Sequence, residues 1–407
     1  MDQGTKTLLY CLRADISTTS TTKLKGITSA DWEKVIELSI KHSVAPLLYQ
    51  RLKAVSSEAT IPVNVVDRLH EIYLNSAARN MRLFDELSKV LRMLQDDGIQ
   101  VIVLKGAHLA EIVYNNIALR PMDDVDLMVK KADLPRVAEK FLKMGYNSTE
   151  RISVKGLSST IEKPTFTNLH NNYFDIHWTL DIDSFQIDVT SLWEKAQSVK
   201  IAGVKTLVLA PEDLLLYISE HASFHHVFYH SLKFLCDISL TIRHYQNQVD
   251  WEQVHLRAKQ WRLDRCLYLT LYLASELLKV SVPAKILDAH KPNNVDISVA
   301  ALAKEAVFND QDNSSPFTIR FSRSLRYMRF RDKAKFFLKR LFPSPEVIAS
   351  IYPAHSSSIK IYLYYPVHLK GLLLRNSRNV WKLLWRDKKM VSSVEKENTM
   401  RDWLTSG

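Results

Sequence analysis

Two aspartates, Asp124 and Asp126, are the residues of this 407-residue chain whose spacing most directly indicates chemistry. Side chains two positions apart in a β-strand point to the same face of the sheet, so the two carboxylates would lie side by side. Neighbouring carboxylates repel each other unless a cation lies between them, and Mg²⁺ usually accompanies phosphate substrates. The Asp-x-Asp spacing therefore predicts a metal site. The alternative is that both residues mark a polar strand end.

The residues before the pair predict an element that can approach a phosphate. Residues 99–104 are apolar enough for a buried strand, and Gly106 allows a tight turn in which backbone comes close to a ligand. Residues 107–115 predict a helix whose first N–H groups favour an anion. This ordered combination argues against the polar strand end.

A third carboxylate follows in a second predicted strand. Asp175 lies at a polar position of residues 174–178, Phe-Asp-Ile-His-Trp. Three carboxylates from two strands can hold two Mg²⁺ ions, of which one activates a hydroxyl and the other stabilises a leaving pyrophosphate.

The order of these motifs resembles the DNA polymerase beta-type nucleotidyltransferases, which carry a Gly-Ser or Gly-Gly turn, an Asp-x-Asp or Asp-x-Glu pair and a later Asp. The segment from Leu104 to Val129, with Leu-Lys-Gly-Ala and Leu-Arg-Pro-Met-Asp-Asp-Val-Asp-Leu-Met-Val, is similar to the bacterial group called uncharacterised nucleotidyltransferases. Residues 175–178, 211–216 and 236–238 extend the similarity over most of the chain.

The resemblance implies transfer of a nucleoside monophosphate from an NTP, by default ATP, to a hydroxyl or phosphate acceptor, with release of pyrophosphate. The acceptor could be a small molecule, a sugar, a peptide or a protein. Asp124, Asp126 and Asp175 would be the catalytic residues and the ligands of Mg²⁺ or Mn²⁺. Gly106 would let the backbone contact the triphosphate.

One position departs from the superfamily pattern. Residue 107 is Ala107, where Ser or Gly is common, so no hydroxyl can touch phosphate there. Lys105 can replace this contact as a point charge, and Arg120 can clamp a phosphate. The alternatives are a solvated strand end for Lys105 and a loop charge for Arg120. Ala107 also favours a second hypothesis, a catalytically silent scaffold that binds a nucleotide or partner.

Two further sets of residues have helical spacing. His221 and His225 lie four apart, which suits a metal, but the Glu of His-Glu-x-x-His is absent, so helix packing or nucleotide contact is favoured. Lys233 and Asp237 also lie four apart. We expect them to form an intrahelical pair, and the alternative is that Lys233 reaches phosphate in the cleft.

The charge is concentrated at the end of the chain. Residues 320–407 hold 19 Lys and Arg against 6 Asp and Glu. The net charge of this segment, 19 − 6 = +13, is larger than the net charge of +11 for the whole chain. Apolar residues alternate with these basic residues in residues 320–340 and 367–386. The basic segments could make peripheral contact with an anionic membrane or partner. We favour the alternative, in which each forms a helix that docks on the core.

An RNA-directed transferase is a third hypothesis, prompted by the basic C-terminal residues. Nucleic acid is disfavoured as a partner because no aromatic RNA-binding signature occurs.

The three cysteines are widely spaced and fit a reducing cytosol. The chain starts without an apolar leader and has no run of about 18 apolar residues. We therefore expect a cytoplasmic protein.

The predicted fold is α+β, with a small mixed-sheet nucleotidyltransferase core flanked by mostly helical regions. We expect an N-terminal helical region at 1–94, the catalytic core at 95–205, a helical domain at 206–345 and a basic extension at 346–407. In the core we expect further strands near residues 150–155, 165–170 and 173–180. A helix after Asp133 should stop at Gly145.

Overall fold

The computed structural model describes residues 1–13, 24–55, 61–148, 164–180, 184–229, 232–291, 297–308, 358–371 and 388–406, with residues 342, 343, 345 and 348. The chain divides into two compact units, residues 1–308 with 403–407, and residues 309–402. The first unit combines helices with a mixed sheet, which confirms the predicted α+β class. The four predicted domain boundaries stay a prediction.

Seven strands form one mixed sheet in the order β3-β4-β5-β2-β1-β7-β6. They are β1 (Ile102–Val103), β2 (Asp124–Met128), β3 (Asn147–Ser148), β4 (Thr165–Thr167), β5 (Tyr173–His177), β6 (Gln197–Ile201) and β7 (Val204–Val208). β2 pairs with β5, and β1 with β7, in parallel; the other pairs are antiparallel.

The strands are shorter than their apolar patterns predict. Only Ile102 and Val103 of the predicted strand 99–104 join the sheet, and the strands expected at 165–170 and 173–180 end at Thr167 and His177. Most of the strand expected near 150–155 lies outside the described residues. The residues that flank β1, Val101 and Leu104, are also buried although they lie outside the strand.

Four helices precede the sheet: α1 (Gln3–Leu12), α2 (Ser29–Lys41), α3 (Ala45–Val55) and α4 (Val63–Asp96). Thr28 caps α2, since its Oγ1 accepts from the backbone N–H of Asp31 at 3.2 Å. Trp32, Val35 and Ile36 are buried on one face of α2, in the helical period that the sequence shows.

The helix predicted at 107–115 takes a different form. It begins as α5 (Lys105–His108) and continues as a π-helical turn, Leu109–Val113. Such turns are rare and are enriched at functional sites. The next helix, α6 (Leu134–Lys143), has Pro135 in its first turn and ends before Gly145, whose φ of +83° confirms the predicted left-handed stop.

Helices follow in the rest of the described chain: α7 (Val189–Lys195), α8 (Pro211–Glu220), a π-helical turn (His221–His225), α9 (Leu232–His244), α10 (Trp251–Gln260), α11 (Asp264–Leu278), α12 (Ala284–His290), α13 (Ile297–Phe308) and α14 (Lys388–Thr405). Most of the two basic segments, 320–340 and 367–386, lies outside the described residues. No described helix has the length and apolar character needed to cross a membrane.

One face of the sheet packs against α4 and α6. Val125 and Leu127 of β2 are fully buried in this core, as the alternation of the strand predicts, together with Phe141, Phe166 and Phe174. The ring centroids of Phe141 and Phe166 are 4.5 Å apart. The core therefore fixes which face of β2 carries Asp124 and Asp126.

The long helix α4 also holds the loop that leads into β2. The fully buried Asn80 donates from Nδ2 to the carbonyl oxygens of Ile117 at 2.5 Å and Arg120 at 2.8 Å. Ser76 donates to the carbonyl of Ala118 at 2.7 Å, and Arg79 to that of Met122 at 2.8 Å. These bonds to four carbonyls between residues 117 and 122 fix the backbone immediately before Asp124.

We predict that Asn80→Ala lowers the free energy of unfolding by about 2–3 kcal/mol, because it leaves two carbonyls without their donor. Urea denaturation of the full chain measures the change. Asn75→Ala is the matched control, since Asn75 lies on the same helix and is exposed. Equal losses in the two variants would contradict the role given to Asn80.

Candidate functional site

Strand register brings two of the predicted carboxylates together. β2 and β5 run parallel with Asp126 directly opposite Asp175, and neighbouring strands lie about 4.8 Å apart. Asp126 is 1% exposed and Asp175 is 7% exposed. Two acidic side chains are therefore held side by side out of water, where their mutual repulsion is strong.

A histidine completes this cluster. Nε2 of His177 lies 2.9 Å from Oδ1 of Asp126, and the ligand atoms of Asp126, Asp175 and His177 all lie within 4.8 Å of one another. The sequence analysis gave His177 no role. Its position two residues after Asp175 on the same strand is the signal that could have found it, because both side chains share one face.

Asp124 is not part of this three-residue cluster. It lies two residues before Asp126 on β2, and its partner across the strands is Tyr173 rather than an acidic residue. The sequence analysis treated Asp124 and Asp126 as equivalent. The structure distinguishes them because only Asp126 faces Asp175, and the assignment of Asp124 as a ligand stays a prediction.

Lys105 forms an ion pair with one of the carboxylates. Its Nζ lies 3.3 Å from Oδ2 of Asp126, and its side chain is only 14% exposed, which argues against the solvated strand end. The same Nζ lies 5.8 Å from the ring centroid of Tyr217 on α8. On the other side, Thr165 donates to Oδ1 of Asp175 at 2.6 Å. Lys105 thus partly offsets the charge of the pair.

Gly106 allows a close approach rather than an unusual backbone angle. A Cβ atom at this position would lie 3.3 Å from Sδ of Met122 and 3.7 Å from Nη1 of Arg120. The turn therefore packs directly on the loop that precedes β2. Ala107 is fully buried and belongs to the hydrophobic core, so its methyl group is used in packing.

Arg120 forms a buried ion pair with Asp237 of α9. Nε and Nη2 each donate to one carboxylate oxygen at 2.9 Å, and Tyr114 donates to Oδ1 of the same carboxylate at 2.8 Å. Burial alone would lower the pKa of Arg120, but Asp237 outweighs it and raises that pKa. Burial and Asp237 together raise the pKa of Tyr114 well above its usual value.

This geometry corrects one expectation about Lys233. Asp237 was expected to pair with Lys233 and pairs with Arg120 instead. Burial, followed by the charge of Arg120, lowers the pKa of Lys233, while Asp237, Asp123 and Asp124 act in the opposite direction. Lys233 therefore lies within electrostatic range of the loop before β2. Asp123 itself is an exposed loop residue and pairs with Arg79 at 3.0 Å.

The histidines after α8 border the same region. The π-helical turn brings three histidines together: the Nε2 atoms of His221 and His226 are 3.1 Å apart, and the ring centroids of His221 and His225 are 5.4 Å apart. Burial and then Lys105 lower the pKa of His221 well below its usual value. Burial, followed by Asp126, raises the pKa of Tyr217 well above its usual value.

Comparisons with known proteins add a family. A model of the family described as "Uncharacterised nucleotidyltransferase" matches residues 28–279. The comparison with curated proteins finds no match.

Two solved structures have weak similarity. The antibiotic-resistance factor ANT(2'')-Ia in solution is 12% identical with a TM-score of 0.32, over 48% of this chain and 96% of that chain. An antigenic nucleotidyltransferase-like protein from Paracoccidioides brasiliensis is 13% identical with a TM-score of 0.29, over 50% of this chain and 95% of that chain. At these TM-scores neither structure carries an argument about this chain.

We predict that Asp237→Asn lowers the free energy of unfolding by about 3 kcal/mol or more, because Arg120 stays buried without a counter-charge. Denaturant unfolding measures this loss. The control is Asp85→Asn, which removes an exposed partner of Lys89 and should change stability by less than about 1 kcal/mol. A loss of that small size in Asp237→Asn would show that the buried pair does not stabilise the fold.

Proposed function

This chain belongs to the uncharacterised nucleotidyltransferase family, and we propose that it transfers a nucleoside monophosphate from an NTP to an acceptor hydroxyl or phosphate. In this reaction the acceptor oxygen forms a bond to the α-phosphorus, and the bond from that phosphorus to the bridging oxygen of the β-phosphate breaks. The products are the nucleotidylated acceptor and pyrophosphate. ATP is the first candidate substrate because it is the most abundant NTP.

One observation supports this proposal most directly: Asp126 and Asp175 face each other across paired strands, with His177 against Asp126. A fold that needed only stability would gain little from two buried carboxylates in contact range. Their retention next to Lys105 and a glycine turn suits a site that receives cations and phosphate.

The donor set fits a divalent cation. Two carboxylates and an imidazole offer oxygen and nitrogen ligands within 4.8 Å of one another. Carboxylate oxygens suit both Mg²⁺ and Mn²⁺. Asp126 and Asp175, with Asp124 as the third predicted ligand, would hold the ion. When bound, it would neutralise charge on the phosphates and lower the pKa of the acceptor hydroxyl.

Residues of this chain would accept the proton of the acceptor and bind the triphosphate. Asp175, whose Oδ1 is fixed by Thr165, would accept the proton of the acceptor hydroxyl. Lys105 would hold the triphosphate as a point charge, and Gly106 would allow backbone contact with it. Lys233 would add positive charge beside the loop before β2. Such catalysis depends on positioning and charge neutralisation.

Arg120 and Ala107, two of the predicted nucleotide contacts, can each offer a phosphate only part of their donor groups. Arg120 uses Nε and Nη2 for Asp237, so only Nη1, which lies next to the Gly106 turn, is placed to meet a phosphate. Ala107 packs in the core, so any contribution to phosphate binding would come from its backbone N–H.

A second candidate function is a catalytically silent nucleotide-binding scaffold. The observation that favours it is the ion pair between Lys105 and Asp126, since an ammonium group there offsets the charge that would otherwise attract a metal. The two functions differ in Mn²⁺ binding and in pyrophosphate release.

We predict that the full chain releases pyrophosphate from an NTP with Mg²⁺ or Mn²⁺ when cell extract supplies the acceptor, and that Asp126→Asn and Asp175→Asn each lower the rate by about 10²–10³-fold. Losing a group that stabilises transition-state charge has effects of this size. His177→Gln should cost about 10–100-fold, as expected for a residue that orients a ligand. Each NTP carrying an α-phosphate label is tested in turn, and the labelled product identifies the acceptor.

The matched control is Asp123→Asn, one residue from the strand and with a 91% exposed side chain. It should retain nearly full activity. Equal activity of wild type and Asp126→Asn would contradict the proposed role of the cluster.

Metal binding separates the enzyme from the silent scaffold. We predict that calorimetry detects Mn²⁺ binding in the presence of a non-hydrolysable NTP, and that Asp126→Asn weakens it by about tenfold or more. The physical reason is the loss of one charged ligand. NTP binding that is unaffected by Mn²⁺ and by Asp126→Asn, without turnover, would instead support the scaffold.

A further inference from the structure

A cavity of about 340 Å³ lies apart from the carboxylate cluster. Its walls come from α3, the π-helical turn Leu109–Val113 and α9. The basic residues Arg51, Arg243 and His244 line it together with Gln50, Tyr114 and aliphatic side chains. None of Asp126, Asp175 and His177 lines it. No carboxylate is among the described residues that do.

Arg51 is the residue whose environment is incomplete. Its Nε is buried and has no hydrogen-bond partner among the described residues. Burial, and then the charge of Arg243, lower the pKa of Arg51, while Cys236 and Tyr114 act in the opposite direction. A half-buried cation placed near a second cation costs folding free energy. An anion in the cavity would offset this cost.

The donors, volume and aliphatic lining of the cavity together indicate which kind of anion it could bind. Two guanidinium groups with planar, multiple donors suit the tetrahedral oxygens of phosphate. The cavity is larger than phosphate itself and is at the small end of ligand sites. The aliphatic residues Leu47, Val113, Leu119 and Leu240 would cover an apolar or planar body attached to that phosphate.

We propose that this cavity is a second ligand site that binds a small phosphate ester, with Arg51 and Arg243 on the phosphate and the aliphatic wall on the organic part. The site goes beyond nucleotidyl transfer, and it does not depend on the carboxylate cluster. Tyr114 connects the two regions, because its ring lines the cavity while its hydroxyl binds Asp237, the partner of Arg120.

The test is thermal unfolding of the full chain with inorganic phosphate and with phenyl phosphate, without NTP or metal, against sodium chloride at equal ionic strength. We expect both probes to raise Tm along a saturating curve, since they bind the folded state. Phenyl phosphate should bind about tenfold more tightly because its ring buries apolar surface. A rise in Tm that chloride reproduces would overturn the proposal.

Variants locate the binding. Arg51→Gln should raise Tm without ligand, because a half-buried charge beside a second cation is gone, and should weaken phosphate binding by at least about tenfold. Arg68→Gln is the control, since Arg68 is exposed and pairs with Glu33. Should Arg51→Gln fail to fold, Arg243→Gln at an exposed position gives the same readout. Unchanged phosphate binding in the variant that folds would overturn the proposal.

A last variant separates this site from the proposed catalytic one. Asp126→Asn should keep the phosphate-induced rise in Tm in full, whether or not the chain transfers nucleotides. Loss of the rise in Asp126→Asn would place the phosphate at the carboxylates and overturn the proposal.

Discussion

The parallel pairing of β2 with β5 is the constraint on which the site depends. It places Asp126 opposite Asp175 in a buried part of the sheet, where two like charges are costly. Lys105, at the start of α5, offsets part of this cost, and Nε2 of His177 on β5 lies within hydrogen-bond distance of Asp126. The strand pairing, the turn and the histidine are therefore parts of a single electrostatic arrangement.

Rigid supports surround this arrangement. The middle of α4 binds successive carbonyl groups of the loop before β2, and the buried pair of Arg120 and Asp237 ties the same loop to α9. Folding free energy is lost when a buried carbonyl or a buried guanidinium group is left without its hydrogen-bond partner. The loop is thus held from two sides, which favours a fixed geometry at Asp126.

Two arginines near α9, one buried and one half-buried, have contrasting environments. The buried Arg120 has a carboxylate that fits two of its nitrogens, whereas Nε of the half-buried Arg51 has no hydrogen-bond partner among the described residues and lies beside a second cation. A satisfied arginine stabilises a loop, while an unsatisfied one favours a bound anion. Arg120 and Arg51 are the same residue type, so it is their different pairing that assigns a structural role to Arg120 and a proposed binding role to Arg51.

The sequence by itself determined the α+β class, the buried face of β2 and the stop at Gly145, because alternation and turn chemistry are local properties. Only the tertiary structure decided that Asp126 faces Asp175 while Asp124 faces Tyr173, that His177 joins the cluster, and that Asp237 pairs with Arg120. Strand register and contacts between distant helices follow from packing of the whole unit, which spacing along one segment does not encode.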